Sequence, residues 1–325
     1  MSHMPPPDPS APLPSDLAAM EQVQAKFTSA AAEEPLLARA DPSELIRHVP
    51  GKRTILRGML ADKPTVFRVY FGETGACARD WAELRRVWPT MCEGDAQVSA
   101  PFAHAPRAGV LAMAEVPGTP LLQMLYASAP DDRAKWLHPA ARWLRTYTES
   151  SETEGPAAPL AWLTRAERAA RQQAFTRLRR IERPILAELQ RIAETLNTAT
   201  WRFAISHGDF HPNNLIAHDT RLTGIDCGGS RPMPIYKDMA RFLMHMGRRG
   251  MIPSGRLRLG VDAEGIDAMA EAFDLSERER NLTLPFFIGI EALIRAETRS
   301  LGNSRVRRAR KMSEALLADL RGVAR

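Results

Sequence analysis

The stretch HGDFHPNN at residues 207–214 decides the fold, together with the Ile225-Asp226 pair a short way downstream. Within it, His207, Asp209 and Asn214 have the spacing H-x-D-x-x-x-x-N. An Asp, an Asn and a His in a turn often serve only as capping groups. The whole pattern, set between short predicted strands and followed by an Asp at a strand end, is much rarer and indicates a chemically active loop.

A short β-hairpin is predicted directly after this loop. Residues 215–218 and 222–225 have the character of strands, and the turn between them is centred on Thr220. With this register Asn214 lies opposite Asp226 at the open end, where cross-strand Cβ atoms are roughly 5 Å apart. An amide oxygen and a carboxylate that face each other suit Mg²⁺, which takes few protein ligands beside phosphate oxygens and water.

Asp209 lies in the loop that enters the hairpin, before Asn214. A carboxylate there can accept the proton of an attacking hydroxyl while a metal ion holds the γ-phosphate of a nucleotide. Phosphoryl transfer needs positioning and charge neutralisation more than covalent catalysis, so these few residues suffice. The spacing is that of a kinase catalytic loop.

The chain before this loop changes character twice. Residues 1–15 are rich in Pro, Ser and Asp and are predicted to be a disordered or cloning-derived tail. Residues 16–38 are predicted to be helical, and Asp41-Pro42-Ser43 is interpreted as a helix cap or turn. Further elements are then predicted, namely strands at 45–49, 53–60 and 65–71, a helix at 77–87 and a strand at 110–116.

From residue 121 onward the pattern is mostly helical, apart from the β-rich segment 201–226. We therefore predict an α+β chain. A small antiparallel β-sheet lobe with one main helix takes up residues 16–116, and a larger, mainly helical lobe takes up residues 117–325. A nucleotide is expected to bind between the lobes.

The composition is that of a soluble globular protein, with 44% hydrophobic and 25% charged residues and a formal net charge of +6. The positive balance favours anionic partners such as nucleotides. Cys77, Cys92 and Cys227 are far apart, so no disulfide framework is expected and a cytoplasmic location is predicted. The most apolar long window, residues 282–294, is too short to cross a bilayer, and no transmembrane segment is expected.

HGDFHPNN, then Gly224-Ile225-Asp226, then Lys237-Asp238-Met239-Ala240 resemble the motifs of the aminoglycoside phosphotransferase and choline kinase-like family, a branch of the protein-kinase-like fold. The resemblance extends over roughly residues 40–300. It implies the two-lobe fold of that group and an ATP- and Mg²⁺-dependent small-molecule kinase. The acceptor would be a hydroxyl of a sugar, an amino alcohol or an antibiotic-like molecule, and the donor ATP or another nucleoside triphosphate.

The resemblance also implies a role for each motif residue. Asp209 matches the catalytic base, and Asn214 and Asp226 match the metal ligands. His207 matches the histidine that organises the loop. Asp238 matches a structural Asp that ties the catalytic loop down.

Two further parts of the nucleotide site follow from the resemblance. The backbone groups of Ala114, Glu115 and Val116 lie in a segment similar to the family's hinge between the lobes and would hold the adenine. The third strand usually carries a Lys that grips the α- and β-phosphates, and this chain has Arg68 there. Glu83, on the following helix, matches the acidic partner of that Lys.

Arg68 departs from the family pattern, because Arg is bulkier than Lys although it binds phosphate oxygens well. The register first expected places Arg57 opposite Arg68, where two cations need an anion between them; the alternative is that Arg57 points to solvent. Arg68 therefore leaves two hypotheses open. One is an active kinase, and the other is a pseudokinase-like nucleotide-binding protein with weak or no turnover.

Basic residues concentrate at 299–325, which suggests a third hypothesis, a kinase that docks on a lipid-linked or polysaccharide acceptor. Without interleaved aromatic residues, a solvated helix face is favoured and no nucleic-acid partner is expected. Cationic acceptors such as aminoglycosides and choline need a carboxylate-rich pocket, and the positive balance is mildly against an aminoglycoside. The acceptor and the oligomeric state are left open.

Overall fold

The structure is a computed structural model that describes residues 14–73, 75–228, 231–295 and 302–323. Residues 1–13 of the predicted tail, and Arg299 and Arg325 of the basic C-terminal segment, lie outside the described residues. The chain forms two compact units. The first consists of the residues up to Trp88 together with Ser99–Val116, and the second consists of Pro89–Val98 together with the residues from Pro117 onward. Among the described residues, no helix combines the length and the apolar character needed to cross a membrane.

The strands of the described residues are β1 (Ala40–Val49), β2 (Arg53–Leu60), β3 (Lys63–Tyr70), β4 (Ala96–Val98), β5 (Pro101–Ala105), β6 (Val110–Ala114), β7 (Thr119–Pro120), β8 (Thr153–Pro156), β9 (Thr200–Ile205), β10 (Leu215–His218), β11 (Arg221–Gly224), β12 (Pro232–Pro234), β13 (Leu257–Arg258) and β14 (Val261–Asp262). The helices are α1 (Pro14–Glu33), α2 (Ala76–Met91), α3 (Leu121–Ala127), α4 (Pro130–Arg133), α5 (Leu137–Glu149), α6 (Pro159–Ala170), α7 (Thr176–Leu196), α8 (Tyr236–Gly247), α9 (Ala263–Ala272), α10 (Leu284–Ile294) and α11 (Asn303–Leu320).

The first unit is built on a five-stranded sheet with the order β1-β2-β3-β6-β5. Every neighbouring pair in this sheet is antiparallel. One face is covered by α1, whose Phe27 ring meets the Phe67 ring edge-on at 5.3 Å, and Leu56 and Val69 belong to the same buried cluster. Together with the mainly helical second unit, this confirms the predicted α+β class.

The interpretation of Asp41-Pro42-Ser43 as a helix cap or turn is wrong, because these residues belong to β1. Proline is tolerated there since β1 is an edge strand, whose outer N–H groups need no partner strand. The pairing with β2 also shifts between Pro42 and Glu44, so the strand contains a bulge at this point.

The expected register of Arg57 opposite Arg68 is wrong by two residues. Arg68 faces Ile55, and Arg57 faces Val66. The turn consists of Ala61 and Asp62 alone, with φ values of +49° and +68°, so β3 begins earlier than the sequence suggested. A two-residue hairpin turn of this kind matches the twist of the flanking strands.

Arg57 does not point freely into solvent either. It forms ion pairs with Glu44 of β1 and with Glu115, the residue that follows β6.

The second unit carries a four-stranded sheet, in the order β4-β11-β10-β7, and a three-stranded sheet, in the order β12-β9-β8. Its core is mainly helical. Helix α10 is buried along nearly its whole length and packs against α6, α7 and α8. Aromatic rings fill the space beside it, with Trp201 and Phe287 5.0 Å apart.

The hairpin β10–β11 forms as predicted, but its register differs by one residue. His218 pairs with Arg221 and Leu215 with Gly224, because the turn contains two residues and not three. Asp219 takes a φ of +53°, which Asp tolerates better than most residues. A slip of one residue moves a side chain to the other face of a strand, so the predicted pairing of Asn214 with Asp226 is wrong.

Candidate active site

The loop between β9 and β10 carries the motif residues and is held at its start by α8. Gly208 has a φ of +82°, a left-handed conformation that glycine adopts without strain. Its N–H donates to the Asp238 carboxylate over 3.1 Å, and its carbonyl accepts from Lys237 Nζ over 2.7 Å. Asp238 is only 2% exposed and lies in the first turn of α8. The rigid helix therefore fixes the backbone just before Asp209.

His207 is buried beneath the loop. Its Nε2 lies 3.1 Å from the Ile225 carbonyl oxygen, and the rings of Trp143, Tyr147 and Phe210 surround it. Burial lowers the pKa of His207, so the ring is neutral and can donate through Nε2–H to that carbonyl. His207 thus ties the start of the loop to the chain leaving β11.

Asp209 lies at a surface, with about half of its side chain exposed (49%). Arg241 approaches its Oδ1 to 2.9 Å and Arg295 approaches the same oxygen to 3.3 Å. On the other side, His211 Nε2 lies 3.4 Å from Oδ2. The carboxylate is therefore anchored mainly through one of its two oxygens.

The charge state of Asp209 follows from these contacts. Burial, the largest single influence, raises its pKa, but the His211 hydrogen bond and the positive charge of Arg241 outweigh burial and hold the pKa well below its usual range. Asp209 is thus an ionised carboxylate at neutral pH.

Asn214 and Asp226 lie at the open end of the hairpin without being direct cross-strand partners. Ile225 N–H donates to the Asn214 carbonyl over 3.0 Å, so Ile225 takes the place expected for Asp226. Asp226 follows with a φ of +64°, which turns the chain away from the strand direction. The Asn214 side chain donates through Nδ2 to the Asp209 carbonyl over 3.0 Å, so Asn214 is connected directly to the loop.

Arg68 and Glu83 belong to the first unit. Arg68 is 5% exposed, and its guanidinium lies 3.1 Å from the carboxylate of Asp80, which also accepts from the Tyr70 hydroxyl. Glu83 forms an ion pair with Arg86 at 2.6 Å. Asp80 precedes Glu83 by three positions on α2, so both lie on one helix face; this spacing could have identified Asp80 as a second acidic partner for Arg68.

The segment Ala114–Val116 also belongs to the first unit. Ala114 N–H donates to the Ala100 carbonyl over 2.8 Å, and Glu115 N–H donates to the Pro64 carbonyl over 3.0 Å. Within the described residues, no backbone partner meets the Glu115 carbonyl or the Val116 N–H. They are therefore among the backbone groups of the predicted adenine segment that are open to a ligand.

Sequence reasoning missed the charged groups that surround Asp209. Arg241 lies three positions after Asp238 on α8, and this helical spacing could have placed it at the loop. Arg295 is separated from Asp209 by 86 positions, and no sequence pattern links the two. Both arginines also contact Glu291, which is 3.0 Å from Arg295 and 3.7 Å from Arg241.

Solved structures similar to this chain come from kinases of small molecules. The amicoumacin kinase hAmiN, in complex with AMP-PNP and Ca²⁺, is 11% identical at a TM-score of 0.54, with 94% of this chain and 96% of that chain covered. The choline kinase LicA of Streptococcus pneumoniae is 12% identical at 0.53, with 93% and 99% covered. The aminoglycoside phosphotransferase APH(4)-Ia is 14% identical at 0.55, with 95% and 100% covered. At these identities the likeness establishes the protein-kinase-like fold.

No curated protein matches the sequence significantly. A model of the phosphotransferase enzyme family, APH, matches residues 53–272, which is more than half of the chain and includes the whole 207–214 loop. The resemblance seen in the sequence motifs is thereby confirmed. The chain belongs to the APH phosphotransferase enzyme family and is a small-molecule phosphotransferase.

Proposed function

We propose that the protein transfers the γ-phosphoryl group of ATP to a hydroxyl of a small acceptor, with Asp209 as the base that receives the hydroxyl proton. The observation that carries this proposal is the state of the Asp209 carboxylate. Arg241 and Arg295 hold Oδ1, while the side chain stays half exposed. Oδ2, which has one longer contact with His211 at 3.4 Å, is thus the oxygen better placed to meet an acceptor hydroxyl.

The low pKa of Asp209 makes it a weak base toward a resting alcohol. In a loose phosphoryl-transfer transition state, the attacking hydroxyl becomes far more acidic as its bond to phosphorus forms. The first task of Asp209 is then to orient the hydroxyl, and proton transfer follows late in the step. The two arginines support this task because they fix the carboxylate in one position.

The donor set at the open end of the hairpin fits Mg²⁺. Asn214 uses its amide nitrogen on the Asp209 carbonyl, so its Oδ1 is the atom left as a ligand, and Asp226 adds a carboxylate. Among the described residues, no group of three or more His, Cys, Asp or Glu side chains could hold a metal ion. Hard oxygen ligands in small number suit Mg²⁺, which when bound would neutralise phosphate charge.

The adenine would bind to the backbone at the end of β6. The Glu115 carbonyl can accept from the exocyclic amino group, and the Val116 N–H can donate to a ring nitrogen. The pairing of one acceptor with one donor matches the edge of adenine. The AMP-PNP bound to the similar amicoumacin kinase supports ATP as the donor.

We also propose that the reaction takes place in the cytoplasm, where ATP is present. Among the described residues, Cys77 and Cys92 are free thiols, and Cys77 is buried. Unpaired cysteines of this kind are ordinary in a reducing compartment.

Replacing Asp209 with Asn tests the proposal. We expect ADP release in the presence of acceptor to fall by about 10²–10⁴-fold, while ATP binding measured by thermal shift stays close to that of the wild type. Asp219→Asn is the matched control, because Asp219 is an exposed carboxylate in the hairpin turn and Asn also tolerates its positive φ. Undiminished turnover by the Asp209→Asn variant would refute the role of Asp209.

A second candidate function, nucleotide binding without turnover, is favoured by the burial of Arg68. Its charge is already partly compensated by Asp80 at 3.1 Å, so less of it is left for phosphate. This function would be supported if ATP stabilises the wild-type protein against heat but no ADP is released with any acceptor of a broad panel. ADP release by an Arg68→Lys variant under the same conditions would complete the support. Release by the wild type would exclude it.

A further inference from the structure

One face of α8 leads away from Asp209 toward a cluster of arginines. Arg241, His245 and Arg249 are spaced four residues apart, so they follow one another along the same face. Arg241 contacts Asp209, and the His245 ring lies 4.3 Å from the ring of His211. Arg249 lies in the turn that closes the helix, about 12 Å along the axis from Arg241 at ~1.5 Å per residue.

Arg249 has no acidic partner among the described residues. Its guanidinium donates to the His245 carbonyl over 2.8 Å. Burial and then the positive charge of Arg305 lower its pKa to about 10; the nearby Tyr126 phenol acts in the opposite direction, and Arg241 and Arg248 lower the pKa further. Other cations thus surround a half-buried guanidinium.

Helix α11 contributes Arg305 to this cluster. Arg305 is itself exposed, but it lies on the same stripe of α11 as the buried residues Ala309, Met312 and Leu316, next to the part of that face which packs against the unit. No described carboxylate forms an ion pair with it. A second arginine of α11, Arg308, donates to the Arg249 carbonyl over 3.4 Å.

Counted over the described residues alone, the charges of this region do not balance. Asp209 and Glu291 are the acidic groups in contact with the α8 face, and Arg241 and Arg295 together compensate both. The cations contributed by Arg249 and Arg305 are left over. Arginines placed in this way present forked donors that suit a carboxylate, a phosphate or a sulfate.

His245 adds a second, independent sign of a missing ligand. It is 4% exposed, and neither ring nitrogen has a hydrogen-bond partner among the described residues. Burial lowers its pKa to about 2, so the ring is neutral and has one N–H to donate. A buried donor without an acceptor is costly, and an oxygen of a bound molecule would satisfy it.

We propose that the acceptor is an anionic hydroxyl compound whose carboxylate, phosphate or sulfate group binds Arg249 and Arg305 while its hydroxyl meets Asp209. This inference rests on the proposed function and specifies its substrate class. The hydroxyl and the anionic group of the acceptor would be separated by up to about 12 Å, the span from Arg241 to Arg249. Choline and aminoglycosides, which are cationic, would be repelled by the same arginines.

The test compares acceptors that differ in charge. ADP release is measured with glycerol, glycerate and ethanolamine, and with glucose, gluconate, glucose 6-phosphate and glucosamine. We expect an anionic compound to be the best acceptor in each set. Arg249→Gln and Arg305→Ala should each raise its KM about tenfold or more with little change in kcat. Arg307→Ala is the matched control, since Arg307 is an exposed arginine on another face of α11 and should leave KM unchanged.

A binding measurement separates this inference from the proposed function. Inorganic sulfate is titrated by calorimetry into protein saturated with AMP-PNP and Mg²⁺, so that the nucleotide site is filled. Weaker sulfate binding in Arg249→Gln and Arg305→Ala, but not in Arg307→Ala, supports the anion site even if no acceptor is turned over. In that case the absence of turnover counts against the proposed function alone.

Three results would overturn the inference. A neutral or cationic acceptor that is turned over better than its anionic counterpart would exclude an anionic substrate, while leaving the kinase function intact. Equal sulfate binding by all three variants and the wild type would exclude the site. Equal loss of single-stranded oligonucleotide binding in Arg305→Ala and Arg307→Ala would show a general polyanion surface on α11 in its place.

Discussion

Substitutions of Asp238 distinguish the positioning of the 207–214 loop from the stability of the fold. The residue is 2% exposed, accepts from Gly208 N–H over 3.1 Å, and has Lys237 Nζ at 3.4 Å. Asp238→Ala leaves the Gly208 N–H unpaired and the Lys237 ammonium without its neighbouring charge. From the cost of breaking a buried ion pair, we expect a loss of about 3–5 kcal/mol in the free energy of unfolding.

Asp238→Asn is the more informative change. The Asn amide oxygen can still accept from Gly208 N–H, so the loss of stability should be smaller, about 1–2 kcal/mol. The charge that strengthens the contact is gone, however, and the backbone before Asp209 becomes less firmly held. We expect kcat to fall about 10-fold or more, with little change in KM for ATP, and the Gly208 amide to exchange its hydrogen faster.

Asp262 provides the matched control for both substitutions. It is also a buried carboxylate, 1% exposed, and it accepts from Ser254 N–H over 2.7 Å and from Gly265 N–H over 2.9 Å at the start of α9. Asp262→Asn should lower the urea midpoint without lowering kcat. The reasoning is refuted if Asp238→Asn keeps wild-type kcat and Gly208 exchange, or if Asp262→Asn lowers kcat equally.

Two further predictions concern stability. Burial lowers the pKa of His245 to about 2, whereas it is about 6.5 in an unfolded chain. As the pH falls below 6.5, the unfolded state therefore binds a proton that the folded state does not. The free energy of unfolding should fall by about 2 kcal/mol by pH 5. The His245→Phe variant should lose correspondingly less unfolding free energy between pH 7 and 5 in urea titrations. The same dependence of unfolding free energy on pH in the variant and the wild type would contradict this. A Cβ added at Gly224 would lie 1.9 Å from Trp143 Cζ2, so Gly224→Ala should lower the free energy of unfolding by about 1–3 kcal/mol. Gly302→Ala is the control and should be nearly neutral, because nothing lies within 4 Å of the added Cβ. Equal unfolding midpoints for the two variants would show that Trp143 can move aside.

The local pattern was enough to locate most of the fold around the loop. The strand predicted at 53–60 coincides with β2, and the hairpin after the loop exists. Both predicted hairpin registers were nevertheless wrong, and for the same reason. The turns at Ala61-Asp62 and at Asp219 are tighter than their composition suggested, because non-glycine residues take positive φ values there. Turn length depends on the twist of the paired strands, which is not visible in either strand alone.

The sequence by itself determined the family, the α+β class and the residues of the loop, because the spacing H-x-D-x-x-x-x-N is local and its chemistry is recognisable in one dimension. Only the tertiary structure decided the environment of that loop. Arg295 reaches Asp209 from 86 positions away, and Arg249 is brought close to Arg305 by the packing of α8 and α11. The interaction between two charges depends on their distance in space and not on their separation along the chain. The charge of the proposed acceptor site is therefore a property of the folded unit, which no stretch of sequence specifies alone.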